Sequence, residues 1–299
     1  MKWTITKQQE GLMLRKYLQE NHKFSKRMIK HIIHGGGEIR VNGIIQSVRY
    51  ELKVGDIVTV KFPEEKKGAM MIPEKMPLDI LYEDDAVLVI NKSPGRAVIP
   101  SYIHTTGTIA NGVLAHYENQ GLPYTFHPVT RLDRNTSGAM LIAKHRWSHS
   151  ILAEAQKSGT ISRTYYAIVE GHPEQKTGTI NAPIGRKDGS IIERTVTDAG
   201  KYAVTHYTVL KEFSRYTLVD VQLETGRTHQ IRVHLSYIGH PLAGDDLYGG
   251  TTAHIDRQAL HCHQLSFDHP ITGEMKDFSV DMANDMKQLK KTFKAFKST

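Results

Sequence analysis

The order of apolar runs over the last two thirds of the chain most constrains what it can fold into. "LDILYEDDAVLVINKSPG" reads as two strand segments joined by a Glu-Asp-Asp turn. "TYYAIVEG", "YTVLKEF", "YTLVDVQLETG" and "ALHCHQLSFDHP" read as further strands, rich in β-branched and aromatic residues. Helical spacing of apolar residues occurs in "TIANGVLAHYENQG", in "HSILAEAQKSG", which ends at Gly159, and in "THQIRVHLSYIG". Strands and helices do not alternate regularly, so the pattern predicts an α+β body rather than a doubly wound parallel sheet. With 299 residues, there is room for such a body and a small second domain.

Charge marks where the second domain lies. Met1 to Phe62 holds twelve Lys or Arg against five Asp or Glu, a balance of +7 within a chain total of +8. In "FSKRMIKHIIHGGG" the spacing predicts a helix capped by Ser25 and closed by Gly35, with Met28, Ile29, Ile32 and Ile33 as its apolar stripe. Lys26, Arg27 and Lys30 fall off that stripe and are expected to meet phosphates rather than merely to face solvent. An earlier helix is predicted over "LMLRKYLQE", a strand over "EIRVNG" turning at Asn42-Gly43, and a hairpin over "ELKVGDIVTVKF". This succession resembles the alpha-L RNA-binding module of a ribosomal protein and a tRNA synthetase. The expected division is a small α/β RNA-binding domain at 1–62, a flexible-looking linker at 63–77 rich in proline and charge, and a larger domain at 78–299.

Several function classes recede on composition. No apolar run approaches the roughly 18 residues of a membrane span, and "MKWTITKQQEGLML" lacks the build of a secretory signal. Cys262 is the single cysteine, so neither an internal disulfide nor a cysteine-based zinc site is available. The expectation is a cytoplasmic protein with a polyanionic partner, no membrane, and no metal.

The chemistry concentrates in two stretches. "RLDRNTSG" sets one acid, Asp133, between Arg131 and Arg134 at a turn before an apolar strand. Glycoside hydrolysis usually needs two carboxylates, and metal-dependent nucleases need several around their ions. Asp84-Asp85 and Asp245-Asp246 read better as turn residues, and "NTSGA" is no Gly-x-Ser-x-Gly elbow for Ser137. What survives is anionic or covalent chemistry at Asp133. In "LETGRTHQIRVHLSYIGHPLAGDDLYGG", Thr225-Gly226-Arg227 presents a cation at a turn. His229 and His234, five apart, do not share a helical face, and His261 with His263 on a strand lack further zinc ligands. Cys262 reads as a small buried hydrophobe.

With these stretches in hand, the chain resembles the RluA-type pseudouridine synthases from Leu81 to Val280. "YEDDAVLVINKSPG", "RLDRNTSG", "RTYYAIVEG", "TGRTHQIRVH", "HPLAGDDLYG" and "LHCHQLSFDHP" stand in the family's order. The resemblance implies a bisected, mixed, largely antiparallel sheet with a central cleft. It also implies isomerisation of uridine to pseudouridine in RNA, without metal or organic cofactor. Carried over by position, Asp133 is the catalytic aspartate, Arg227 its salt-bridge partner, and Tyr165 the ring that stacks on the target base. Arg131 takes the role of the arginine that enters the RNA as the uridine leaves, and Ile231 lines the pocket. Thr130 stands where the family often has histidine, and Ser93-Pro94 where Pro-Ala is usual. The aspartate could attack ribose or uracil, or stabilise charge and move a proton. Ribosomal RNA of the large subunit is favoured as substrate over transfer RNA, and the enzyme is expected to act as a monomer.

Overall fold

The computed structural model describes residues 1–65, 68, 71–101 and 105–293. Two sheets organise it. The first is four-stranded and holds the basic N-terminal segment: β1 (Lys2–Thr4), β2 (Glu38–Val41), β3 (Ile44–Ile45) and β4 (Ile57–Lys61), in the order β1-β4-β2-β3. Helices α1 (Leu14–Glu20) and α2 (Lys26–His34) cover it. Ser25 caps α2 by accepting the Met28 amide at 3.1 Å. Asn42 and Gly43 both take positive φ, at 52° and 80°, the backbone a two-residue hairpin between β2 and β3 requires.

Two expectations for this segment change. The hairpin over 51–62 does not form; Lys53 to Asp56 is a turn held by Asp56, whose carboxylate accepts the Lys53 amide at 2.9 Å, and only β4 follows. That strand pairs with β1 on one side and β2 on the other, so a single central strand replaces a local pair. Ile33, assigned to the apolar stripe of α2, is 44% exposed, while Ile29 and Ile32 are buried.

The second sheet carries the rest. Its strands are β5 (Ile80–Glu83), β6 (Val87–Lys92), β7 (His127–Pro128), β8 (Ser137–Ala143), β9 (Ser162–Glu170), β10 (Thr177–Asn181), β13 (Val204–Glu212), β14 (Tyr216–Leu223), β15 (Leu260–Asp268) and β16 (Met275–Ser279), with β11 (Ile184–Arg186) and β12 (Arg194–Val196) forming a separate hairpin. The main path runs β10-β13-β14-β9-β15-β8-β6-β5. Every pairing along it is antiparallel except β15 with β8, which touch in parallel through His261 opposite Ser137 and Cys262 opposite Gly138. This short seam bisects the sheet, giving the mixed α+β architecture expected. Gly138 permits the seam: at φ 112° its missing side chain would fall on the Cys262 backbone.

Helices α3 (Ile109–Asn119), α4 (Arg146–Lys157), α5 (Gln230–Tyr237) and α6 (Asn284–Thr292) complete the body. The main core joins Val87 to Ile90 and Ala139 to Ala143 with Ile109 and Val113 of α3 and Ile231 and Leu235 of α5. Among the described residues no helix is long and apolar enough to cross a membrane.

The segment read as a flexible linker is tied down where it is described. Glu65 accepts hydrogen bonds from His127 Nε2 at 2.8 Å and from the Arg146 amide at 3.1 Å. Further on, Asn111 Nδ2 donates to the Ile72 carbonyl at 2.7 Å, and Glu74 accepts the Gly107 amide at 2.6 Å. Residues 66, 67, 69 and 70 of that segment lie outside the described residues.

Candidate active site

Asp133 lies on the turn between β7 and β8, and charged groups from two other parts of the chain hold that turn by its backbone. The Thr136 amide closes it onto the Asp133 carbonyl at 3.1 Å. Lys92, buried at the end of β6, donates Nζ to the carbonyls of Ser93 and Arg134, each at 2.9 Å. Arg257 gives Nη1 to the Asn135 carbonyl at 3.0 Å and is itself gripped by Asp285 of α6 at 2.6 and 2.8 Å. Burial pulls the Lys92 pKa down to about 7, with the charge of Asp133 opposing and those of Arg257 and Arg96 adding to the fall. Thr130, at the position noted for its departure from histidine, accepts the Leu141 amide on Oγ1 at 2.9 Å and braces the same loop against β8.

The Asp133 carboxylate, 28% exposed, faces Arg232 Nη1 at 3.3 Å and His229 Nε2 at 3.8 Å. Arg232 also clasps Asp245 with two prongs, Nε to Oδ2 at 2.7 Å and Nη2 to Oδ1 at 2.8 Å, and its Cζ lies 4.9 Å from the centre of the Tyr248 ring. Both members of this clasp are shielded, Arg232 at 8% side-chain exposure and Asp245 at 0%. Burial works against the arginine's charge, but the hydrogen bonds and charge of Asp245, with Asp133 behind them, hold its pKa above the usual value. A planar guanidinium suits this duty because one face of donors can be committed to Asp245 while Nη1 stays aimed at Asp133.

His229 adds a second, neutral contact. It opens α5 in the left-handed conformation at φ 58°, a sparsely populated setting for a residue with a side chain. Burial lowers its pKa, with Asp133 opposing. Its Nδ1 lies 2.7 Å from the Tyr248 hydroxyl, which already accepts the Arg194 amide at 2.9 Å. The Tyr248 proton is then available to Nδ1, which favours the tautomer with the histidine proton on Nε2, facing Asp133.

Around these groups opens a cleft of about 820 Å³, lined among others by Arg131, Asp133, Tyr165, Arg227, Ile231 and Arg232. Tyr165 sits on β9 opposite Cys262 of β15, almost wholly buried, and burial raises its pKa. Ile231 is buried at the start of α5, whereas Arg131 and Arg227 are exposed at the rim. Among the described residues of the lining, arginine and lysine predominate over acids, with Asp133 and Glu224 as the carboxylates. Lys26, Arg27 and Lys30 are not part of the cleft; all three are exposed on α2, and none forms an ion pair among the described residues.

The pairing expected of Arg227 is corrected by this geometry. Arg227 turns Nε to the Tyr202 carbonyl at 2.9 Å, while its amide donates to Gln230 Oε1 at 2.9 Å. Arg232, five residues on, holds Asp133 instead, because α5 begins at Gln230 and carries Arg232 inward on its first turn. Asp245, read as a turn residue, is the buried counter-charge of that arginine. A signal was present: Arg232 stands between Ile231 and Val233 in an apolar helix, where a charge requires a buried partner. His261 and His263 part company, the first reaching Ser137 Oγ at 2.9 Å and the second Asp220 at 2.8 Å. Among the described residues, no group of three or more His, Cys, Asp or Glu side chains could hold a metal.

The chain is similar to known proteins. A family profile described as RNA pseudouridylate synthase matches residues 86–237. "Uncharacterized RNA pseudouridine synthase YjbO" of Bacillus subtilis is 55% identical over 89% of this chain and 94% of its own length. "Ribosomal large subunit pseudouridine synthase D" of Vibrio cholerae is 37% identical over 85% of this chain and 82% of its own. Among solved structures, "Human RNA Pseudouridylate Synthase Domain Containing 1" superposes with a TM-score of 0.61 at 23% identity, covering 78% of this chain and 92% of that one, a likeness of fold.

Proposed function

Because the chain belongs to the RNA pseudouridine synthases of the RluA type, enzymes that isomerise uridine to pseudouridine in RNA, we propose that Asp133 performs the reaction on large-subunit ribosomal RNA. The observation that carries this reading is the Asp133–Arg232–Asp245 chain of charge in the cleft. The reaction breaks a glycosidic bond and remakes it at carbon 5 of the same base. A carboxylate kept ionised and fixed in direction can serve as nucleophile, or as charge stabiliser and proton carrier. Arg232 sets a positive charge facing the carboxylate, and the backbone clamps of Lys92 and Arg257 supply the direction. The base must leave its stack to reach this point, and the Tyr165 ring with Ile231 offers the surface on which it is received.

Arg131, which lines the cleft, would fill the space that the uridine vacates, and the cationic lining suits a phosphate backbone. Lys26, Arg27 and Lys30 of α2 form a separate phosphate anchor. The name of the Vibrio cholerae relative supports ribosomal RNA as the substrate. A single buried cysteine suits cytoplasmic work, and each monomer holds all the groups named.

The decisive experiment is Asp133→Asn, assayed for pseudouridine on ribosomal and transfer RNA transcripts. Product formation should vanish while RNA affinity stays within about a few fold. Appreciable turnover by the pure variant would defeat the catalytic assignment. Product formed by the wild-type enzyme on transfer RNA alone would defeat the substrate assignment.

A further inference from the structure

One helix belongs to both halves of the molecule. Trp147, on the first turn of α4, is buried within the hydrophobic cluster of the N-terminal module, alongside Phe24, Ile29 and Ile32. Its Nε1 donates to the His22 carbonyl at 2.8 Å, and its ring centre lies 5.4 Å from that of Phe24. Ile151, one turn further along α4, packs against the same cluster. Beside it, Phe62 of the module stacks on His145 at 4.7 Å. The carboxylate of Glu65 then latches the module's trailing end to His127 and to the backbone of Arg146. Burial alone would raise the Glu65 pKa, but the His127 hydrogen bond and neighbouring positive charge bring it below the usual carboxylate value.

The far side and far end of α4 face the cleft: His149, Gln156 and Lys157 line it with Pro128 and Val129. Nothing in this arrangement resembles a tether. An indole buried in a neighbouring core, with its N–H satisfied and a hydrogen-bonded latch beside it, fixes orientation as well as proximity. Lys157 lies ten positions beyond Trp147 along the helix, a span of about 15 Å at 1.5 Å per residue.

We propose that α4 is a rigid spacer that joins the basic face of α2 and the cleft into one composite surface for structured RNA, so that the enzyme selects its uridine by its distance from a helical element held on α2. The proposal rests on the reading of α2 as a phosphate anchor and adds to it a fixed geometry. A-form RNA suits such a surface, since its duplexes are recognised by backbone and shape while single-stranded loops offer bases that can be splayed out.

Two measurements on the otherwise intact chain test this. Nitroxide labels on Lys16→Cys and Glu154→Cys, with Cys262 wholly buried and so left unlabelled, should give a single narrow distance distribution. A broad distribution would overturn the proposal. The second uses the shortest transcribed ribosomal RNA fragment that the enzyme modifies, with base pairs inserted one at a time between the target loop and its flanking duplex. The rate should fall at least ~10-fold within a few insertions, because displacing the reacting group by ångströms is costly. An unchanged rate would overturn the proposal. Trp147→Ala should widen the distances and flatten the spacing dependence; should that variant unfold, the two wild-type measurements still decide. If a Lys26, Arg27 and Lys30 triple alanine variant bound RNA normally, the anchor reading would fail and the spacer with it. Weak binding by that variant beside a flat spacing profile would defeat the spacer alone.

Discussion

The cleft and the N-terminal helix α2 both depend on positive charge, and they deploy it in opposite ways. In the cleft, Arg232 is shielded and bound to two carboxylates and a ring. On α2, Lys26, Arg27 and Lys30 stand exposed without ion pairs among the described residues. A buried, paired cation fixes geometry and is indifferent to salt; exposed cations attract a polyanion over a distance and are screened by salt. Charge in the first setting should therefore register in the rate of the chemical step, and charge in the second in affinity.

The sharpest way to break this contrast is Arg232→Ala. It leaves Asp245 buried without a counter-charge, which should cost about 3–5 kcal/mol of stability, and single-turnover activity should fall at least ~100-fold. Replacing Arg232 and Asp245 together by leucine separates the two effects: denaturant midpoints should recover much of the loss, and activity should not. If activity returns with stability, the arginine is only a structural member.

Changing Lys26, Arg27 and Lys30 together to Ala comes next. Affinity for the natural RNA should drop at least ~10-fold and the log–log salt slope should flatten by about 2–3, while the saturated rate falls much less. A salt titration beside single-turnover rates checks both halves. A fall in the saturated rate as large as that of Arg232→Ala would erase the distinction between the two regions.

Arg227 lies between the regimes, within the cleft motif yet exposed. Arg227→Ala should cost a few fold in affinity, with turnover at saturation close to wild type, because its side chain holds the Tyr202 carbonyl and not Asp133. A loss comparable to that of Arg232→Ala would restore it to the catalytic pair.

The last contrast is read in stability rather than in rate, as a pH dependence from Lys92. Its folded pKa, about 7, lies below its unfolded value near 10.5. Between these values the unfolded chain binds the additional proton, so stability from this group rises with pH, by up to about 1.4 kcal/mol per unit. Lys92→Met should remove that rise from unfolding curves taken between pH 7 and 10. An identical slope in both proteins would show that Lys92 is not a strained, buried cation.

The sequence disclosed the body more readily than its fine geometry, for physical reasons. Strands β6, β8, β9, β14 and β15 are dense in buried apolar residues, so their pattern is visible without neighbours. The hairpin β11–β12 and strand β16 are short or polar, and α6 is recognisable only through Asp285 and the arginine it holds. In the same way Asp133, Tyr165 and Ile231 were identifiable as cleft residues because their motifs are local. The partner of Asp133 was not, because the choice between Arg227 and Arg232 turns on where α5 begins and on Asp245, which reaches Arg232 only through tertiary folding. The module's attachment was hidden for a similar reason. Trp147 lies two residues before the stretch whose spacing predicts a helix, and nothing local marks the core it enters.

The seam at Gly138 sets a dimension that no lining side chain controls. Here the two halves of the sheet approach backbone to backbone, with Cys262 filling the place a side chain would take. Asp133 belongs to the turn just before this contact, and Tyr165 lies across from Cys262 on the next strand. At its root the gauge of the cleft is therefore set by this main-chain contact, to which Lys92 and Arg257 hold the Asp133 turn. Sequence drift among the lining residues can retune which RNA is admitted while the separation of acid and ring stays constant. A single methyl group at position 138 would wedge the jaws apart at their root.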